Sequence, residues 1–416
     1  MARPTPRRHL HPARWLEYLY PPRHLSPHLD HSHLDPRRLR SPLILALLWL
    51  AAALFGAGPA LAAGDDIRVA LADGVPSVEL GGGPLLLHDL AGHPLTGATP
   101  TWIRVVERGA GLEVRGLGRE GLRADALRVV AARKSAVRVG GIDYPGVVEV
   151  RRTGDGLTVV NELPLEEYVT GSVQAEAGDT MPLEMLKAQA IVVRTYAAYH
   201  RRLNAGKAYE IVAATVHQQY AGRVSADSPV WRAVRETRGQ VLHWEGDLFP
   251  AFYHTDSGGH TEDPRVVFAA TNMPALVPVR VEFPSDSPHH NWTLDMPLVT
   301  LEAALQRGGL GVGQVLALDV LERSVSLRVT RIAVHGSARD LILRGNDFRR
   351  AIGYDVLKST LFAVAVDGSL ARFAGRGYGH GVGLDQAGAK SMAQLGYSAR
   401  QILQYYYPGV EFAALP

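Results

Sequence analysis

His254, Asp256 and Ser257 place the three residue types of a hydrolytic triad within four positions of one another. A triad is assembled in space, however, and neighbours on a strand alternate between its faces, so adjacency does not make one. Cysteine is absent. That removes a thiolate nucleophile, a disulfide framework and any cysteine-ligated zinc. The His-x-x-x-His spacing of a helical zinc site is missing from the core as well, so neither a metal nor another cofactor is expected. What remains is a set of polar side chains in apolar surroundings. Lys187, Gln189, Arg194 and Thr195 interrupt a segment of otherwise apolar periodicity. Buried polar groups need partners, so this segment is expected to line a polar cleft or to face solvent.

The elements that must position these groups can be read from spacing. From Asp66 to about Asn161, short runs such as Ile67–Leu71, Leu127–Val130 and Val147–Val150 are separated by Gly81-Gly82-Gly83, Gly140-Gly141 and Pro145-Gly146. Alternation broken by Gly and Pro predicts a mostly antiparallel sheet. Pro164 opens a helical segment with Glu166 and Glu167 in its first turn, where the helix dipole favours acids. Pro182 opens a longer one. Leu183, Leu186, Ala190, Val193 and Ala197 recur every three or four residues, which predicts one buried stripe ending at Asn204 and Gly206. Residues 211–285 read as mixed strands and loops, and Leu298–Gln306 as a helix. Val315–Leu343 reads as two strands turning near Gly336, and residues 385–407 as two helices split at Gly396. The fold class is α+β: a β-rich N-terminal region, then a mixed helix/sheet core with a central amphipathic helix at about 182–204. The expected divisions are 66–160, a β-rich subdomain; 161–290, a core; and 291–416, an α+β part completing the cleft.

Charge narrows the partner. The chain has 44 Lys and Arg against 41 Asp and Glu. Residues 1–63 hold eight of the arginines and three of the acids, so the remainder carries 36 basic and 38 acidic residues. A folded part with net charge −2 lacks the basic footprint that phosphate binding requires, and nucleic acid is not expected as a partner.

Five blocks in order carry a family resemblance. They are Glu176–Lys187 (EAGDTMPLEMLK) with Ala188-Gln189-Ala190 and Arg194-Thr195-Tyr196; Thr215 to Gly222 around Gln218-Gln219-Tyr220; Tyr253–Glu262 (YHTDSGGHTE); Gly375–Gly383 (GRGYGHGVG) with Gln386; and Tyr406-Tyr407-Pro408-Gly409. Together they resemble the sporulation stage II protein D / LytB amidase-enhancer domain family, over about Ile67 to Phe412. Where that family has Met-Pro after its glutamate, this chain has Ala177-Gly178. Where some members place His and Cys beside the Gln-x-Tyr block, it has Val216 and His217.

The resemblance implies action on peptidoglycan glycan strands, by one of two routes. The first is a lytic transglycosylase cleaving bonds between N-acetylmuramic acid and N-acetylglucosamine, with Glu176 as general acid and then base. The second is a non-catalytic glycan-binding enhancer of an N-acetylmuramoyl-L-alanine amidase. Because the sugar's own C6 hydroxyl closes on C1, one carboxyl suffices, unlike the pair of ordinary glycosidases. With that substrate, the forked donors of Arg194 are expected on its carboxylate or lactyl group, Gln218 and Tyr220 on sugar hydroxyls, and His254, Ser257 and His380 along the cleft. Glu262 is a secondary carboxyl candidate.

The start of the chain points to export. Residues 43–56 (LILALLWLAAALFG) form an uncharged apolar run after Arg37, Arg38 and Arg40, and Ala60-Leu61-Ala62 follows. This is the pattern of a signal peptide over 42–63, or of a membrane tether through residues 43–63 if uncleaved. Residues 1–41 read as a disordered His/Pro/Arg-rich extension. The protein is then expected in the periplasm or cell wall.

Overall fold

The computed structural model describes residues 65–415, apart from 118–121, 133–134, 155, 215–216 and 269–272. The extension, the signal or anchor segment, and Thr215-Val216 of the second block lie outside the described residues.

The fold is α+β. Its N-terminal part is two six-stranded sheets. One runs, in spatial order, Ile211–Val212, Asp66–Val75, Gly156–Pro164, Val147–Thr153, Ala126–Ala131 and Leu85–His88. The other runs Leu122–Ala124, Gly111–Arg115, Trp102–Arg108, Ser77–Gly81, Val137–Val139 and Ile142–Tyr144. Alternation is visible in Trp102–Arg108, where Ile103 and Val105 are buried and Trp102 and Arg104 exposed. The two sheets share one apolar core.

Helices then follow: α1 (Leu165–Ala177), α2 (Leu183–Leu203), α3 (Pro229–Glu236), α4 (Pro264–Phe268), α5 (Leu298–Arg307), α6 (Gly345–Ile352), α7 (Gln386–Gln394) and α8 (Ala399–Tyr406). Pro164 and Pro182 stand at the N-caps of α1 and α2. α2 departs from the single-stripe expectation. From Ala188 to Ala198 every residue is buried, because α1, α3, α7, α8 and the strand Gln240–Trp244 pack around it. Such a helix belongs to the interior, where Arg194 and Thr195 find partners, while Gln189 Nε2 has none among the described residues.

The 291–416 segment does not cohere as one part. Residues 292–373 build a separate core around Trp292, Phe348, Phe362 and Phe373. The chain then returns, and Val382 to Val410 pack into the first core. Within the second core, Val315–Arg323, Val329–Gly336 and Leu341–Arg344 make three strands. The turn near Gly336 is therefore the second of two, the first lying at residues 324–328.

Candidate active site

Glu176 sits in the last turn of α1. Gly178, with φ +71°, ends the helix two residues later, its N–H donating to Gln174 O at 3.1 Å. The carboxylate is half-buried, and Oε1 accepts the Gln219 main-chain N–H at 2.6 Å. Burial raises its pKa above the ordinary glutamate value, against the Gln219 bond, which favours the ionised form. The buried Tyr253 hydroxyl lies beside it and also favours ionisation, without a hydrogen bond of regular geometry to any described group. A helix C-terminus also disfavours negative charge, in the same direction as burial.

Four of the sequence blocks meet at this point. Gln386 Nε2 donates to the Glu176 carbonyl and to Gln189 Oε1, both at 3.4 Å. Gln219 comes from the second block and Tyr253 from the third. On the other face of the Tyr253–His254 strand, the His254 ring lies 5.6 Å from that of His380. His254 Nδ1 donates to Val382 O at 3.1 Å, which leaves Nε2 a bare, buried acceptor. Burial drives His254 well below its ordinary pKa, and His380 down to about 3 with the help of Arg349 and Arg328. Both are neutral imidazoles. His380 is half-buried beside Phe252 and Phe268.

The remaining expected contacts are corrected by burial. Arg194 has no exposed surface. Its fork is closed on Glu166, with Nε–Oε1 at 2.8 Å and Nη2–Oε2 at 2.7 Å, and Nη1 donates to Gln240 O. A substrate carboxylate has no face of it to meet. Gln218, also fully buried, accepts from Tyr168 Oη at 3.0 Å. Tyr220 donates to Asn161 Oδ1 at 3.0 Å and is 6% exposed. Ser257 donates to Asp385 Oδ2 at 2.6 Å rather than to His254. Glu262 is closed off by the Ser324 and Ser326 hydroxyls. Of these expected residues, Glu176 and His380 are half-buried and the others buried.

Sequence reasoning missed the Gln219 amide, Tyr253, Glu166 and Asp385. Strand alternation was the available signal for Tyr253: with His254 on one face, Tyr253 takes the other. Near the second block, the His200 and His217 rings lie 4.7 Å apart, and burial pushes each down to about 4. Among the described residues no group of three or more His, Asp or Glu could hold a metal ion.

Comparison with known proteins agrees with the arrangement of the blocks. The family model described as stage II sporulation protein matches residues 153–244. An uncharacterized protein of Brachyspira hyodysenteriae is 30% identical over 321 residues, covering 76% of this chain and 83% of that protein. The chain belongs to the SpoIID/LytB family. The stage II sporulation protein D of Bacillus subtilis is 28% identical over 287 residues, 65% of this chain and 79% of that protein. The amidase enhancer of the same organism is 28% identical over 290 residues, 58% of this chain, which spans only 39% of the enhancer. A second family model, a domain of unknown function (DUF8618), matches residues 272–383, a range that contains the second core.

Proposed function

We propose that this SpoIID/LytB-family protein is exported to the cell wall and cleaves peptidoglycan glycan strands as a lytic transglycosylase, with Glu176 as the single acid/base. One observation carries the reading: a half-buried carboxyl, raised in pKa, with one oxygen fixed by a main-chain N–H and no ion-pair partner among the described residues. Such a group holds its proton more tightly than an exposed glutamate does and can pass it to a positioned oxygen.

The protonated carboxyl gives its proton to the glycosidic oxygen as the bond from C1 breaks. The carboxylate then takes the proton of the C6 hydroxyl as that oxygen bonds to C1. The products are a 1,6-anhydro sugar end and a free hydroxyl end, and the carboxyl finishes protonated. No second carboxylate is required, in keeping with the closed surroundings of Glu262. In this reading His380, a neutral and half-buried imidazole, hydrogen-bonds the glycan rather than supplying a proton.

The second reading is a non-catalytic module that grips glycan and stimulates a separate amidase. The likeness to the amidase enhancer favours it, as does Ala177-Gly178 after the glutamate. Incubation with purified glycan strands separates the two: anhydro ends mean the enzyme, and co-sedimentation without products means the enhancer. A tether through residues 43–63 would keep either activity at the membrane surface.

A further inference from the structure

The second core carries a groove of about 740 Å³ that the glutamate site does not use. It lies over the three-stranded sheet formed by Asn291–Pro297, Leu370–Arg376 and Phe362–Asp367. Two guanidinium groups line it, Arg323 and Arg376, and among the described lining residues there is no Asp or Glu. Both cations are held in place. Arg323 Nη1 donates to Leu327 O at 2.8 Å and Nη2 to Phe362 O at 2.9 Å. Leu327 takes φ +64°, a strained value for a non-glycine residue, at the turn whose carbonyl fixes Arg323. Arg376 Nη2 meets His290 Nε2 at 2.9 Å. Among the described residues neither arginine pairs with a carboxylate, so each keeps charge and donors for a ligand.

Apart from Asn291 and Thr293, the rest of the lining is apolar. The Trp292 indole lies flat under Gly375, where any Cβ would fall on the ring. Opposite, Ala363 and Ala374 pair across the strands and are both exposed. The ligand that fits bears carboxylates separated by small apolar groups. Arg376 also packs on the Gly258-Gly259 turn of the third block.

We infer that this groove binds the peptide stem of peptidoglycan, a short acidic peptide whose carboxylates are separated by short aliphatic segments. The inference rests on the cell-wall reading above and gives the 272–383 region a role in it. A guanidinium meets a carboxylate in a forked, two-bond geometry, which suits one anchor at each arginine.

The test uses the full chain and two probes. One is the synthetic tripeptide L-Ala-γ-D-Glu-meso-diaminopimelate, titrated calorimetrically. The other is glycan stripped of peptide, followed by co-sedimentation. Arg323→Gln removes one anchor, and Ala374→Phe fills the floor without touching charge. The expected result is tripeptide binding by the parent, weakened about tenfold or more by each variant, with glycan sedimentation unchanged. No tripeptide binding by the parent, or equal binding by parent and both variants, overturns the inference. If tripeptide binding behaves as expected but stripped glycan is not bound, the groove stands as a peptide site and the glycan reading falls. If neither probe binds, both fall.

Discussion

Gln219 donates its main-chain N–H to Glu176 Oε1 at 2.6 Å, and no cation among the described residues pairs with that carboxylate. The carboxyl is thus oriented by a neutral dipole while burial keeps its pKa raised. An arginine in the same place would have locked it ionised.

A raised carboxyl has a stability signature. The native state of Glu176 holds its proton more tightly than the unfolded chain does. The stability linked to that proton is complete below the ordinary glutamate range, and is lost as pH rises through the native value. Glu176→Gln should therefore melt at a higher temperature than the parent at neutral pH, with the gain vanishing in acid. Thermal melts at the two pH values check this.

Asp385 obeys the same sign with a defined window. Burial raises it from 3.8 to about 6, although Ser257 and the first amides of α7 favour its ionised form. Parent stability should decline as pH climbs through that interval, and Asp385→Asn should flatten the decline. Denaturant midpoints measured across the window read it directly.

Arg194 and Glu166 form a structural pair. Removing the fully buried arginine leaves a carboxylate without its partner inside the helical layer. Arg194→Met should cost about 3 kcal/mol or more. Glycan affinity, corrected for the folded fraction, should not move. Denaturation and co-sedimentation on the same preparation separate the two effects.

Tyr220→Phe makes the same distinction for the second block. It deletes the bond to buried Asn161, which should cost about 1–2 kcal/mol. Sugar binding should be unaltered, since the hydroxyl faces inward. Chemical denaturation and glycan sedimentation give the two readings.

The fold class and the blocks were legible because they rest on local patterns: short β-type runs such as Ile67–Leu71 and Leu127–Val130, and prolines at the starts of α1 and α2. The direction of the polar side chains in the blocks was not. Arg194, Gln218 and Ser257 look like substrate contacts in one dimension because polar residues in motif blocks invite that reading. Their partners Glu166, Tyr168 and Asp385 lie 28, 50 and 128 positions away, and no local spacing reveals them. The separate core at 292–373 was missed for the same reason. Its strands look like those on either side, and only the return of Val382–Val410 to the first core marks its edge.

The central claim is that the carboxyl at position 176 transfers the proton that breaks the glycan. Mass spectrometry of glycan strands digested by the parent and by Glu176→Gln tests it most directly. The parent should release 1,6-anhydro-muramyl products, and the variant about a hundredfold less or lower still, while sedimenting with glycan as well as the parent does. Anhydro products from the variant at the parental rate would contradict it.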